Sequence, residues 1–259
     1  MAINNKKLRI IFLLFSIIIV SFLMKYFSEW THEFLGHCGF GWIAGGTPQN
    51  WYVSWFWPIE FGYASVSFPI GTGNIPRAIT IIGGITTCLI ATFTSHSLIF
   101  TIRKKKVLPK NSITTKKLII FHCLFWYGFW AFANSVGYLI LGGLINFGDI
   151  QIFRIYTGTP SWIFITLGFI SFIALFYLIS YNSCVIFRPL LPNTSSRKIL
   201  IVFWLIIPFI FILMLINPAI SVLNWMIPAG IGIMIIPSLL MFFLGDKFLD
   251  KISWEQVSK

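Results

Sequence analysis

The sequence predicts an all-α polytopic membrane protein with about six transmembrane helices and a short hairpin-like loop after the first. Hydrophobic residues make up 57% of the 259 residues and charged residues only 10%, whereas soluble domains carry about 25% charged residues. The apolar residues form long blocks, and about 20 consecutive apolar residues let a helix cross a bilayer with its backbone groups bonded internally. Apart from Arg9 and Lys25, the basic residues fall outside these blocks, which is typical of membrane topology.

Six apolar segments define the predicted helices. They cover residues 8–30, 79–101, 118–143, 161–181, 199–216 and 220–245. No internal repeat or low-complexity tract separates them, so we predict a single membrane-embedded domain over residues 1–259. The residues that suggest chemistry, described below, fall within a core over 8–150, and 161–245 supplies additional helices.

The lysines and arginines predict which side of the membrane each loop faces. If the N-terminus is cytoplasmic and the chain crosses six times, all but three of the 19 basic residues lie on the cytoplasmic side. The exceptions are Lys25, Arg77 and Arg154. Because cytoplasmic loops are enriched in lysine and arginine, we predict that both termini are cytoplasmic. The net charge of +12 then reflects topology and contact with anionic lipid, so the predicted partner is the bilayer and not nucleic acid.

The segment 46–77, between the first two predicted helices, is rich in aromatic residues. Its first aromatic group, at 51–57, is typical of the belt that lies at a membrane–water interface. Residues 61–68 alternate weakly between apolar and polar, as a short strand or hairpin does. Two interpretations stay open: a loop that lies flat at the lipid headgroups, and an edge on which a substrate docks.

A cluster of polar residues ends the first predicted helix, where residues 31–37 read Thr-His-Glu-Phe-Leu-Gly-His. Neutral imidazoles such as those of His32 and His37 are zinc ligands. A neighbouring carboxylate such as that of Glu33 can take a proton from zinc-bound water, whose pKa the metal lowers to about 7. The segment therefore predicts a zinc hydrolase site with Glu33 as general base and acid.

The spacing of the two histidines departs from the regular zinc motif HExxH. Histidines four residues apart lie about 40° apart around a helix, whereas His32 and His37 are five apart and diverge by about 140° on an ideal helix. They can share a metal ion only if the turn is widened into a π-bulge, a distortion common at functional sites. Gly36 makes such a deformation easier. We therefore predict a widened turn between His32 and His37.

The motif resembles the His-Glu-Phe-Gly-His sequence of site-2 proteases with Leu35 inserted, and its six-residue form is similar to the HExxGH motif of dipeptidyl peptidase III. The site-2 protease resemblance covers about residues 8–150. It includes a glycine-containing stretch at 82–87 and a loop with strand character between the first two helices. It also includes Ala133-Asn134-Ser135-Val136-Gly137-Tyr138, followed by Gly148-Asp149.

The resemblance implies roles for two further residues. Asp149 would be the third zinc ligand, and Asn134 would orient the substrate or stabilise an oxyanion. Two departures leave alternatives open: Ile150 replaces the glycine that usually follows the aspartate, and fifteen residues separate Asn134 from Asp149. Glu60 and Glu29 are therefore alternative third ligands. The predicted topology places the motif, Asn134 and Asp149 near the same, extracytoplasmic boundary.

The sequence thus predicts a membrane-embedded zinc metalloprotease that hydrolyses peptide bonds in or beside transmembrane segments. The alternative is a non-catalytic structural, scaffold or transport subunit, which the displaced histidine spacing favours. A lipid-directed metallohydrolase would share the same site. The predicted substrate is a transmembrane protein or peptide, and the sequence indicates no oligomeric state.

Overall fold

The computed structural model describes residues 6–54, 62–104, 115–145, 148–187, 190–191, 196–201 and 203–204. Within these ranges the chain is mostly helical, as predicted.

The first membrane helix is longer than the sequence suggested and is interrupted by two widened turns. Its segments are α1 (Lys6–Phe15), the π-helix π1 (Ser16–Val20), α2 (Ser21–Trp30), the π-helix π2 (Thr31–Cys38) and α3 (Gly39–Ile43). The predicted end near residue 30 is wrong because the polar motif lies inside the helix, and apolar residues continue past it to Ile43. Gly45, at φ 84°, then ends the helix, because its N–H bonds to the Trp42 carbonyl and that of Gly46 bonds to the Gly41 carbonyl.

A two-stranded hairpin follows the first helix, as predicted. Strand β1 (Thr47–Tyr52) pairs antiparallel with β2 (Tyr63–Ser67), and the register runs from Thr47 opposite Ser67 to Tyr52 opposite Tyr63. A bulge interrupts the pairing of β1 between Pro48 and Asn50.

Three long helices and two short ones complete the described chain. They are α4 (Asn74–Lys104), α5 (Thr115–Ile145), α6 (Gly148–Thr157), α7 (Ser161–Phe187) and α8 (Ser196–Ile201). With the first helix, α4, α5 and α7 make four helices in the described ranges that are long and apolar enough to cross a membrane. The predicted spans 199–216 and 220–245 fall almost entirely outside the described residues.

Helix α6 replaces part of the short loop that the sequence predicted over 146–160. Ile150 and Phe153, three residues apart, share a face of this helix and pack into a cluster with Ile85 and Phe164. Gly148 and Gly158 mark its two ends with positive φ angles of 60° and 71°. The helix is missed from sequence because its ten residues are too few for a clear apolar period.

The chain divides into two compact units. One contains Met1–Val20, His96–Phe125 and Tyr177–Lys259, and its core includes Phe12, Leu118 and Leu190. The other contains Ser21–Ser95 and Trp126–Phe176 and holds the cluster around Ile85 as well as the whole histidine motif. The single domain expected over residues 1–259 stays a prediction.

Candidate metal centre

The two histidines of the motif face each other across a widened turn. His32 and His37 both lie in π2, where the backbone follows a π-helix from Thr31 to Cys38. A π-helix bonds residue i to residue i+5, so side chains five residues apart lie nearly one above the other. The two Nε2 atoms are consequently 3.2 Å apart, and both rings are buried. The predicted widening of this turn is confirmed.

Asp149 brings a carboxylate to the same point from the first turn of α6. Its Oδ2 atom lies 3.0 Å from His32 Nε2 and 3.3 Å from His37 Nε2. Together the three residues form a group whose candidate ligand atoms all lie within 4.8 Å of one another. The structure thus brings together the three residues that the sequence and the resemblance indicated.

The far sides of the two imidazole rings have different partners. His37 Nδ1 lies 2.9 Å from the backbone carbonyl of Thr80, which can only accept a hydrogen bond. Nδ1 therefore carries the hydrogen, and in the neutral ring Nε2 presents a lone pair to the centre of the group. His32 Nδ1 instead faces the sulfur of Cys88 at 3.8 Å.

The geometry leaves a gap that suits a cation. Two imidazole nitrogens and a carboxylate oxygen, all electron-pair donors, sit 3.0–3.3 Å apart. Burial acting by itself would raise the pKa of the Asp149 carboxyl, but when the two rings are protonated the charge of His37 and hydrogen bonds from both histidines hold that pKa below its usual range. In a tetrahedral zinc site with ligand distances of about 2.0–2.1 Å, neighbouring ligand atoms are about 3.3 Å apart. The donor set therefore fits zinc in both chemistry and spacing.

Gly84 of α4 keeps this space open. A Cβ atom built on Gly84 would lie 2.7 Å from His32 Nε2 and 2.9 Å from His37 Nε2, in the region where a shared ion would bind. The backbone of Gly84 also lies against Gly36, and a Cβ on Gly36 would collide with it. Any larger residue at position 84 would fill the gap between the histidines.

Glu33 lies beside the metal group but outside it. Its side chain is buried, and its Oε2 atom makes no hydrogen bond within the described part of the chain. The hairpin covers it closely, because a Cβ on Gly62 would meet Glu33 Oε1 and the Tyr52 carbonyl oxygen, each at 3.0 Å. A buried carboxylate next to two candidate ligands, with one oxygen free to bind a proton, suits proton transfer.

Asn134 and Glu29 form a separate polar pair in the same unit. Asn134 Nδ2 donates a hydrogen bond of 3.1 Å to Glu29 Oε1, and both side chains are buried. Neither residue belongs to the group of three candidate ligands, so the structure brings Asp149, and not Glu29, to the histidines. The other alternative ligand, Glu60, lies outside the described residues.

Sequence analysis did not identify the residues that contact the histidines without belonging to the group of candidate ligands. The Tyr138 ring stacks on His32, with centroids 5.4 Å apart and an angle of 25° between the planes. Thr80 and Cys88 lie four residues before and after Gly84, which places them on the same face of α4 as that glycine. That spacing is the signal that points to Thr80 and Cys88 once Gly84 is assigned to the site.

The other two histidines lie in the unit that does not contain the motif. His96 Nδ1 is 3.2 Å from Asn182 Nδ2, and His122 Nδ1 hydrogen-bonds to Ser16 Oγ. Both are fully buried, and neither belongs to a candidate metal group among the described residues.

Comparisons with protein families, with curated proteins and with solved structures find no match for this chain.

Proposed function

We propose that this protein is a membrane-embedded zinc metalloprotease, similar in its site to site-2 proteases, that hydrolyses peptide bonds in or beside transmembrane segments. The observation that carries the proposal is the convergence of His32 Nε2, His37 Nε2 and Asp149 Oδ2 on one point beside Glu33. A scaffold protein has no need for a buried donor set with a glycine-lined gap at its centre.

His32, His37 and Asp149 would hold the metal ion. Three protein ligands are the usual complement of a catalytic zinc site, which keeps one position open. When bound, zinc supplies a Lewis acid and lowers the pKa of a coordinated water to about 7. The Thr80 carbonyl fixes the orientation of His37 by accepting the hydrogen bond from Nδ1.

Glu33 would move the protons of the reaction. Its Oε2 atom accepts a proton from the attacking water as the water oxygen bonds to the peptide carbonyl carbon. The same oxygen then gives this proton to the departing amide nitrogen as the C–N bond breaks. Peptide hydrolysis is balanced in this scheme, because the carboxylate returns to its starting state.

Asn134 would orient the substrate or stabilise an oxyanion. One of its two Nδ2 hydrogens is donated to Glu29, and the amide carries a second that an oxyanion could accept. Its buried Oδ1 makes no hydrogen bond within the described residues and can accept one from a substrate N–H. Both roles that the resemblance implies for Asn134 are therefore chemically available to its side chain.

The site would lie near the extracytoplasmic boundary, with both termini in the cytoplasm. The distribution of lysine and arginine supports this orientation, since most of the 19 basic residues then face the cytoplasm. The hairpin of β1 and β2 follows the motif after α3, and Gly62, just before β2, lies against Glu33, so a substrate would reach the site at the hairpin.

The proposal is tested with purified protein reconstituted into liposomes that contain a model transmembrane peptide. We expect the wild type, and not Glu33→Gln, to cleave the peptide into fragments with a new amino terminus. Zinc chelation should stop cleavage, and added zinc should restore it. Hydrolysis of lipid esters without peptide cleavage would show a lipid-directed hydrolase, and the absence of both reactions would contradict an enzymatic function.

A further inference from the structure

We infer that Tyr138 is a positioning residue of the proposed metal site, whose ring holds His32 in its ligating orientation and bounds the turn that carries Asp149. This inference rests on the proposed metal site of His32, His37 and Asp149. In this role Tyr138 does not contact the substrate.

The first observation is the contact between the two rings. Tyr138 belongs to α5, and its ring lies nearly parallel to the His32 imidazole at a centroid distance of 5.4 Å. A flat ring against one face of the imidazole opposes rotation of the imidazole about its Cβ–Cγ bond. Such a restraint keeps Nε2 directed towards Asp149, whose Oδ2 lies 3.0 Å away.

The second observation is the weakness of the other restraint on His32. Ligating histidines are usually oriented by a strong hydrogen bond from their second ring nitrogen. His37 has such a bond, at 2.9 Å from Nδ1 to the Thr80 carbonyl oxygen. The corresponding contact of His32 is a sulfur, Cys88 Sγ, at 3.8 Å, and thiols are weak hydrogen-bonding groups. The stacked ring therefore provides a restraint that hydrogen bonding provides only weakly at His32.

The third observation connects Tyr138 to Asp149. Gly148 immediately precedes Asp149, and a Cβ on Gly148 would approach Tyr138 Cε1 to 2.7 Å. Tyr138 itself is packed against the cluster of Ile85, Leu139, Ile150 and Phe164, so its ring is held in place. One ring thus contacts His32 and lies against the turn that delivers Asp149. This contact also gives a physical reason for glycine before the aspartate.

The inference predicts that zinc affinity depends on the aromatic ring of Tyr138 and not on its hydroxyl group. Tyr138→Phe should keep the zinc affinity of the wild type. Tyr138→Leu should weaken zinc binding by about tenfold or more, the loss typical when a residue that supports a ligand is removed. Phe164→Leu is the matched control, because Phe164 is a buried aromatic of the same cluster that makes an edge-to-face contact with Phe153.

A second pair of variants tests the turn before Asp149 and leaves the Tyr138 ring in place. Gly148→Ala and Gly158→Ala both place a side chain at a positive φ, at 60° and 71°, at the two ends of α6. A Cβ on Gly158 meets no atom within 4 Å, whereas one on Gly148 meets Tyr138. We expect Gly148→Ala to weaken zinc binding by about tenfold and Gly158→Ala to leave it unchanged.

The experiment measures zinc affinity by chelator competition and records the visible spectrum of the cobalt-substituted proteins, which reports ligand geometry without requiring activity. The expected result is weaker zinc binding and an altered cobalt spectrum for Tyr138→Leu and Gly148→Ala, and wild-type behaviour for Tyr138→Phe and both controls. Wild-type zinc affinity and spectrum in Tyr138→Leu would overturn the inference and leave the proposed site intact. Equal losses in Tyr138→Leu and Phe164→Leu would also overturn it, because core packing would then explain the effect. A wild type that binds no zinc would overturn the inference and the proposed function together.

Discussion

The Nε2 atoms of His32 and His37 lie 3.2 Å apart although the two residues are five positions apart in the chain. On a regular α-helix their side chains would diverge by about 140°. The π-helical turn from Thr31 to Cys38 absorbs the additional residue and brings both rings to one face. Phe34 and Leu35 face outward from this turn, with 36% and 44% of their surfaces exposed, so the insertion does not displace the buried ligand face.

Gly84→Ala should abolish metal binding. The added methyl group would lie 2.7 Å from His32 Nε2 and 2.9 Å from His37 Nε2, so it would occupy the volume of the ion. The control is Gly137→Ala, because a Cβ on Gly137 meets no atom within 4 Å. Metal analysis of both purified variants is the measurement. Full zinc occupancy in Gly84→Ala would show that the ion does not bind between the two histidines.

Glu33→Gln should separate metal binding from turnover. Glu33 lies outside the group of candidate ligands, so the variant should keep its zinc, while loss of the proton acceptor should slow peptide cleavage by about 10²–10⁴-fold. Asp149→Ala should instead lose zinc, because two imidazoles are fewer than the three protein ligands of a usual catalytic site. Zinc content and cleavage rate are measured for both variants. If Glu33→Gln lost zinc as completely as Asp149→Ala, Glu33 would be a ligand and the assigned role would be wrong.

Asn134 and Glu29 should be energetically coupled. Removing either partner leaves the other buried without the 3.1 Å hydrogen bond between them, at a cost of about 1–3 kcal/mol in the free energy of unfolding. The double variant Glu29→Ala/Asn134→Ala should therefore lose less free energy of unfolding than the two single variants lose together, by about 0.5–3 kcal/mol.

The control cycle pairs Glu29→Ala with Ser135→Ala, since the Ser135 hydroxyl bonds to carbonyl oxygens of its own helix. Unfolding in mixed detergent micelles gives all of the required free energies. Additive effects in the Glu29/Asn134 cycle would show that the hydrogen bond contributes nothing to stability.

The proposed orientation predicts which loops are accessible from outside the cell. Single cysteines at Thr47, exposed at the start of β1, and at Asn111, in the basic segment after α4, serve as probes in a background without the four native cysteines. A membrane-impermeant thiol reagent added to intact cells should label the probe at position 47 and miss the one at 111. The reverse labelling pattern would place the site on the cytoplasmic side.

Much of the fold follows from composition and pattern. Long apolar blocks predict the membrane helices α4, α5 and α7, and weak alternation predicts the β1–β2 hairpin. Local pattern does not predict helix α6, because a helix of ten residues gains its stability from packing of Ile150 and Phe153 against other segments. The first helix is also extended beyond its predicted end, because the polar motif is buried within it.

The candidate site was predictable to the extent that its residues cluster in sequence. His32, Glu33 and His37 form a motif, and their spacing requires a widened turn. The convergence of Asp149 on the histidines depends on contacts over more than a hundred residues, which no local pattern specifies. Tyr138 was missed for the same reason: a tyrosine in an apolar helix has no distinguishing signal until its contact with His32 is known.

The zinc content of purified wild type and His37→Ala tests the central claim most directly. His37 Nε2 faces both His32 and Asp149, so its loss removes one of the three candidate ligands. We predict about one zinc ion per chain in the wild type, as a three-ligand site requires, and almost none in His37→Ala. A wild type without stoichiometric zinc, or a His37→Ala variant that retains it fully, would contradict the account.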